Sequence, residues 1–239
     1  MRKEKASRFS YNLFDSPPNS ENETTVIFYH GWGTNADSYN DVAKDIAKEG
    51  YSVIVPEIIY HDTRKPLKNH FEKETMQNYF WKTIVESINE FDEFVDGLGL
   101  SKHKIVLVGS SMGGFIANGI FASQNKLGGL VNINGSGSFL LSERQFRERD
   151  NRVDLPIGEE LILNKFDPVG RENCHAPVLL LHGDSDKIVP IEGQKNYFKY
   201  LTEIEGSKNV ELLIYKNVNH QFTEEMLKDL IGWLNHLGK

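Results

Sequence analysis

Apolar residues along the chain fall into short continuous runs. Four stand out, at residues 25–29 (TVIFY), 51–55 (YSVIV), 104–108 (KIVLV) and 177–181 (PVLLL). Two weaker runs lie at 130–133 (LVNI) and 210–215 (VELLIY). Most are β-branched and bounded by Gly, Pro, Asn or His, which is how strands buried on both faces of a parallel sheet read. Between the runs the apolar spacing changes to three and four. Met76, Phe80, Ile84, Ile88, Phe91 and Val95 make one helical stripe across 75–97. Residues 38–49 repeat it with Tyr39, Val42, Ile46 and Ala47, and Gly50 offers a C-terminal cap. A last helix over 223–237 carries Met226, Leu227, Leu230, Ile231, Leu234 and Leu237. Thr223 is placed to cap its start, with Glu224 and Glu225 in the first turn.

Strands alternating with helices imply right-handed crossovers, so the pattern predicts an α/β fold with a mostly parallel, twisted sheet and helices on both faces. Residues 10–24 (SYNLFDSPPNSENET) hold a possible first strand and then a Pro-rich turn, which suits an antiparallel hairpin leading into the sheet. The alternation breaks once, over 136–176. There a charged run (SERQFRERDNR) precedes a second apolar patch (GEELILNKF) and no strand is expected; an insertion or lid of one or two helices is the natural reading.

Composition narrows the partners. With 239 residues, 39% apolar and 11% aromatic, the chain has ample material for a core. The 27 Lys+Arg against 34 Asp+Glu leave a net charge of −7, which argues against nucleic acid or an anionic membrane surface. No apolar stretch approaches the roughly 18 residues of a membrane helix. The charged start MRKEK leads into no signal-like apolar run, so a cytoplasmic location is expected. A lone cysteine, Cys174, rules out an internal disulfide framework and most cysteine-based metal sites.

The sharpest chemical signal is Gly109-Ser110-Ser111-Met112-Gly113-Gly114, directly after KIVLV and before the helical segment FIANGIFAS. A serine in G-x-S-x-G at a strand-to-helix turn sits on a bend so tight that flanking side chains would collide. Ser110 fails the spacing, because position 112 is Met rather than Gly. A serine nucleophile needs a base and the base an orienting acid. Among eight histidines, His220 lies just past VELLIY and before the last helix, where a loop at the sheet's C-terminal edge carries it. His30 and His182 each end a strand. His61, His70, His103, His175 and His236 read as ordinary surface residues, although Tyr60 and His61 could border the site. For the acid, the loop HGDSDKIVP offers Asp186 and Asp184, of which Asp184 better suits turn hydrogen bonds.

The order Ser111, Asp186, His220, with the elbow GSSMGG, the loop HGDSDKIVP and a histidine before the last helix, resembles the α/β-hydrolase fold. Within it, the chain looks like small bacterial esterases related to dienelactone hydrolases and prolyl-oligopeptidase-type catalytic domains, over about 25–237. The resemblance implies a sheet of roughly eight strands with a short helical insert after the sixth. It assigns Ser111 as nucleophile, His220 as general base and Asp186 as its orienter. The oxyanion hole falls to the backbone N–H groups of Trp32, in the loop HGWGTN, and Met112. It requires no metal and no cofactor. Three motifs converging on one sheet edge imply a single domain over 1–239, with 136–176 as an insertion. Dienelactone hydrolases proper use cysteine at the elbow, so Ser111 argues against that activity. HGWG departs from the HGGG of hormone-sensitive-type lipases, which removes support for bulky tertiary-alcohol esters. Many relatives carry Asp at the position of Glu57 and then a glycine-bearing loop; EIIYHDTRKP departs from that on one side of the site.

Candidate substrate contacts are His30, Trp32 and Phe139, with Met112 and Phe115 also nearby and Phe115 read as core. Arg144, Arg147, Arg149 and Arg152 read as a solvated helix face beside Glu143, Glu148 and Asp150 rather than as an anion site. The expected function is a serine carboxylesterase acting on a small-molecule ester with a small to medium acyl group. A peptidase, amidase or thioesterase on the same triad is the alternative within chemistry. A hydrolase-like binding protein without turnover is the alternative outside it. The sequence favours neither a monomer nor a homodimer.

Overall fold

Every apolar run of the sequence becomes a strand, and eight strands join in one sheet. They are β1 (Arg2–Ala6), β2 (Phe9–Phe14), β3 (Thr25–Tyr29), β4 (Ser52–Pro56), β5 (Ile105–Ser110), β6 (Gly129–Ile133), β7 (Val178–Gly183) and β8 (Val210–Tyr215). The computed structural model describes residues 1–124, 126–171 and 176–237; Cys174 and His175 lie outside the described residues. The strand order is β1-β2-β4-β3-β5-β6-β7-β8. β1 and β2 pair antiparallel, as do β2 and β4, and every other neighbour is parallel.

Period two splits each central strand between two cores. Ile27, Tyr29, Ile105, Leu107, Leu130 and Leu180 face one side, where they meet α2 (Lys73–Leu98), α3 (Met112–Ser123), α4 (Phe139–Arg149) and α6 (Glu192–Lys199). Val26, Phe28, Val106, Val108, Val131 and Leu181 face the other, against α1 (Asn40–Lys48) and α7 (Glu224–Leu237). Because both faces are covered, the strands read as continuous apolar runs. The helix ends follow local chemistry. Gly99 closes α2 at φ +67°, and the Thr223 hydroxyl accepts the Met226 amide at 3.2 Å at the start of α7.

Two expectations need correction. The hairpin at the start is β1–β2, turning at Ser7-Arg8 with Ala6 opposite Phe9. The Pro-rich stretch instead links β2 to β3. The missed strand, RKEKA, is an edge whose first four residues are exposed, so it carries no apolar run to find. The insert matches its expected composition: α4 and α5 (Ile157–Phe166) fill the gap between β6 and β7, and no strand lies there among the described residues. No helix among the described residues is long and apolar enough to cross a membrane.

β3 sits between β4 and β5, so the chain leaves it to one side and later returns to the other. The crevice beyond the carboxyl ends of β3 and β5 is therefore a topological switch point, the place where open α/β sheets hold ligands.

Candidate active site

The loops that follow β3, β5, β7 and β8 supply the site. Ser111 is the single residue between β5 and α3, held at φ +55° and ψ −121°. Residues with a Cβ avoid that region, and the sharp turn it makes presents the hydroxyl beyond the sheet. The flanking glycines are required by distance. A Cβ on Gly109 would lie 2.0 Å from the Gly113 carbonyl oxygen, and one on Gly113 would lie 2.0 Å from that of Tyr29. The first turn of α3 thus rests on the backbone of β5 and β3 together.

His220 joins Ser111 to Asp186. Its Nδ1–H donates to Asp186 Oδ2 at 2.6 Å, which leaves Nε2 to accept from the Ser111 hydroxyl at 2.8 Å. The Ile188 and Val189 amides donate to the other Asp186 oxygen at 2.9 and 3.0 Å. Burial alone would raise the Asp186 carboxyl. The His182 imidazole 3.4 Å away, the hydrogen bond and charge of His220 and the Val189 amide outweigh it and hold the carboxyl well below the usual carboxylate range. Asp184, the competing acid, accepts from the Asn217 amide at 2.7 Å and serves the turn. His182 Nε2–H donates to the Val189 carbonyl at 2.9 Å and braces the acid loop.

Two loops are zipped together here. The Ser185 amide donates to the Val218 carbonyl at 3.1 Å, and the Lys187 amide to Asn219 Oδ1 at 3.0 Å. A Cβ on Gly183 would sit 2.2 Å from the Val218 carbonyl oxygen, so only glycine lets them close.

On the other side of Ser111 lies the loop after β3. A Cβ on Gly31 would stand 3.4 Å from Ser111 Cβ, which measures how near the two turns run. The Trp32 amide makes no hydrogen bond among the described residues. Met112 opens α3, where the first amides have no partner within the helix. His30 does not face the cavity. It is fully buried, with Nε2 bonded to Asp62 Oδ2 at 2.9 Å and Nδ1 lying 3.0 Å from the Gly31 carbonyl oxygen. That corrects its expected substrate contact and leaves it bracing the loop.

His61 and His70 are corrected as well. His61 is fully buried: the Gly33 amide donates to its Nε2 at 3.0 Å, so its Nδ1–H donates to the Ile59 carbonyl at 3.2 Å. Burial, with the neighbouring His30 and His70 charges, holds its pKa down at about 3. The Trp32 indole N–H donates to the His70 carbonyl at 2.8 Å, and the His61 and His70 rings lie 4.2 Å apart. Polar chain neighbours suggested surface histidines; the residues that cover them come from elsewhere in the sequence. Asp62 was missed for the same reason. Its oxygens accept His30, the Ala36 amide at 2.8 Å and the Ile58 amide at 3.2 Å, so it ties the 57–71 loop to the site.

A cavity of about 300 Å³ opens on Ser111 and His220. Trp32, Phe71, Met76, Phe80, Trp81 and Phe146 make most of its wall, and the insert adds Glu143, Arg149, Asp150 and Arg152. Phe139 is not part of it. The ring is fully buried against Trp81 and Phe115, which makes it core, as Phe115 itself is. The expected solvated arginine face holds only in part. Arg144 is exposed and pairs with Glu160, whereas Arg147 is buried on Glu143 at 2.7 Å, and Arg149 and Arg152 line the cavity. Glu143, 3% exposed, also accepts the Trp81 indole N–H at 2.7 Å and Arg152 at 3.0 Å. The i,i+4 pairing of Glu143 with Arg147 was visible in the sequence; Trp81 arriving from α2 was not. No group of histidines and carboxylates among the described residues is arranged to hold a metal ion.

Comparison with known proteins extends over most of the molecule. Esterase YjfP of Escherichia coli strain K12 is 26% identical over 219 residues, covering 84% of each chain. Among solved structures, TT1662 from Thermus thermophilus gives a TM-score of 0.72 at 19% identity, covering 99% of this chain and 97% of that one. A monoacylglycerol lipase from Paleococcus ferrophilus gives 0.69 at 19% identity, covering 99% and 100%. At such identities the structural likeness speaks to the fold, that of the α/β hydrolases. The dienelactone hydrolase family matches residues 12–230, and the chain belongs to that family.

Proposed function

We propose that the protein is a serine carboxylesterase that cleaves small to medium acyl esters through an acyl-enzyme. One observation carries the reading. An unbroken hydrogen-bonded chain runs from Asp186 through His220 to Ser111, at 2.6 and 2.8 Å, and ends on a serine beside a largely apolar cavity.

In this reading His220 Nε2 takes the Ser111 proton as Oγ attacks the ester carbonyl. The carbonyl oxygen becomes an oxyanion facing the Trp32 and Met112 amides and the N-terminus of α3. Asp186, held ionised, stabilises the imidazolium and keeps its Nδ1–H directed. His220 then returns the proton to the departing alcohol. Water, activated by the same imidazole, attacks the acyl-enzyme and releases the acid. The sequence of bonds made and broken asks nothing of a metal or a redox cofactor. The insert after β6 acts as a cap that shapes the acyl pocket, because five of its residues line the cavity. The esterase activity named for the Escherichia coli relative supports the same class.

Hydrolysis of p-nitrophenyl acetate and butyrate by wild type and Ser111→Ala tests the proposal. Turnover is expected to drop on the order of 10⁶-fold in the variant, the loss seen when a triad nucleophile is removed. Equal rates in the two proteins would overturn it.

A further inference from the structure

The strand order sets a problem that the sheet alone does not solve. Ser111 follows β5 and Asp186 follows β7, but His220 follows β8, the edge strand three positions from β5. Its loop must lean back across β7 and β6 to bring Nε2 within 2.8 Å of Ser111 Oγ. The ties to the acid loop, Ser185 to Val218 and Lys187 to Asn219, fix it relative to Asp186 and not to Ser111.

The link to the nucleophile runs through the end of β6. The Ile133 carbonyl accepts the Ser111 amide at 2.8 Å, and the next residue, Asn134, donates its own amide to the Leu181 carbonyl at 2.8 Å. Asn134 Oδ1 accepts the Gly183 amide at 3.1 Å, while its Nδ2 donates to the Gln221 carbonyl at 2.8 Å. Gln221 adjoins His220, and Gly183 begins the turn that carries Asp186. The side-chain orientation is fixed by chemistry, since an amide N–H needs an acceptor and a carbonyl needs a donor. Asn134 is 2% exposed and lies at φ +50°, a conformation that asparagine tolerates better than most residues.

We propose that Asn134 is a positioning residue: it tethers the His220 loop across the sheet and thereby aligns His220 on Ser111. The inference rests on the esterase reading of the site. Loss of the tether displaces the base from the nucleophile while leaving the acyl pocket untouched, so it acts on kcat and spares KM.

Wild type, Ser111→Ala, Asn134→Gly and Asn134→Asp form the test. Glycine keeps the left-handed backbone without either side-chain bond. Aspartate keeps the acceptor for the Gly183 amide but sets a carboxylate oxygen against the Gln221 carbonyl. In both Asn134 variants kcat for p-nitrophenyl butyrate is expected to fall about 10- to 100-fold, the order of loss a misplacement near 1 Å causes, with KM within about two-fold. A merely structural residue would lower the melting temperature and leave kcat at 25 °C intact. That result, or wild-type kcat in Asn134→Asp, overturns the proposal. Hydrogen exchange in the peptide around 217–222 is read without turnover and is expected to quicken in Asn134→Gly. If wild type and Ser111→Ala hydrolyse ester equally, the esterase reading fails by itself. Unchanged exchange in Asn134→Gly would overturn the tether in either case.

Discussion

At Asp186 burial and hydrogen bonding pull in opposite directions, and the bonds win. The side chain has no exposed surface, yet three donors bond it and His182 Nε2 lies 3.4 Å away, so its charge is kept and aimed at His220 Nδ1. Asp186→Asn preserves the shape but presents an amide N–H to Nδ1, which favours the wrong imidazole tautomer. On the proposed mechanism kcat is expected to fall about 10⁴-fold with KM little changed. Steady-state kinetics on p-nitrophenyl butyrate checks it, and a fall under about ten-fold would contradict the assigned role. Ser111, Asp186 and His220 were legible because each sits in a short motif whose chain order is itself informative. His61, Asp62 and Asn134 were not. Each is a common polar residue in a polar stretch, and its partners come from other segments.

At the scale of elements, one buried carboxylate ties the insert to α2. Glu143 on α4 receives Trp81 from α2, Arg147 one turn along, and Arg152 from the turn beyond the helix. Removing one member of such a buried cluster leaves uncompensated charge and typically costs about 3–5 kcal/mol. Arg147 keeps Glu159 and the Val153 carbonyl as partners, so the lower end of that range applies. Glu143→Ala is expected to loosen α4 and α5, with faster limited proteolysis within 139–166. KM is expected to rise about ten-fold and kcat to stay within about three-fold, because Ser111, Asp186 and His220 follow strands of the sheet. Loss of kcat with KM unchanged would mean that the insert serves the catalytic groups directly. Helical composition and place in the chain were readable here. The inward turn of the arginines was not, since a charged helix reads as solvated until its neighbour is known.

For the whole molecule, acid is the weak side. His61 stays neutral in the fold, with a pKa held at about 3, against 6.5 for an ordinary histidine. Between those values the unfolded chain binds a proton that the folded chain does not, so stability rises with pH across that window. The contribution is complete above about pH 6.5 and is lost as pH falls toward 3. Asp186 slopes the same way at lower pH: its carboxyl is depressed in the fold, so its stabilisation is present above the ordinary carboxylate range and lost below it. The melting temperature is expected to be level from about pH 7 to 8 and to drop on the order of 10 °C by about pH 4. Calorimetry of His61→Gln provides the check: a lower melting temperature at neutral pH with a flatter acid slope. An acid slope identical to wild type would remove His61 as the source.

The sequence by itself determined every strand but the exposed edge β1, the placement of most of the helices, the fold class and the order of Ser111, Asp186 and His220. These depend on local periodicity and on short motifs, which survive without knowledge of distant partners. Only the tertiary structure decided which polar residues are buried and what they hold. Strand order put β6 between Ser111 and Asp186 and left His220 to reach back from the edge. It also folded His30, His61 and Asp62 behind the Trp32 loop and turned Glu143 inward against Trp81. Burial and hydrogen bonding between segments far apart in the chain are properties of the packed state, and a linear pattern of apolar and polar positions does not carry them.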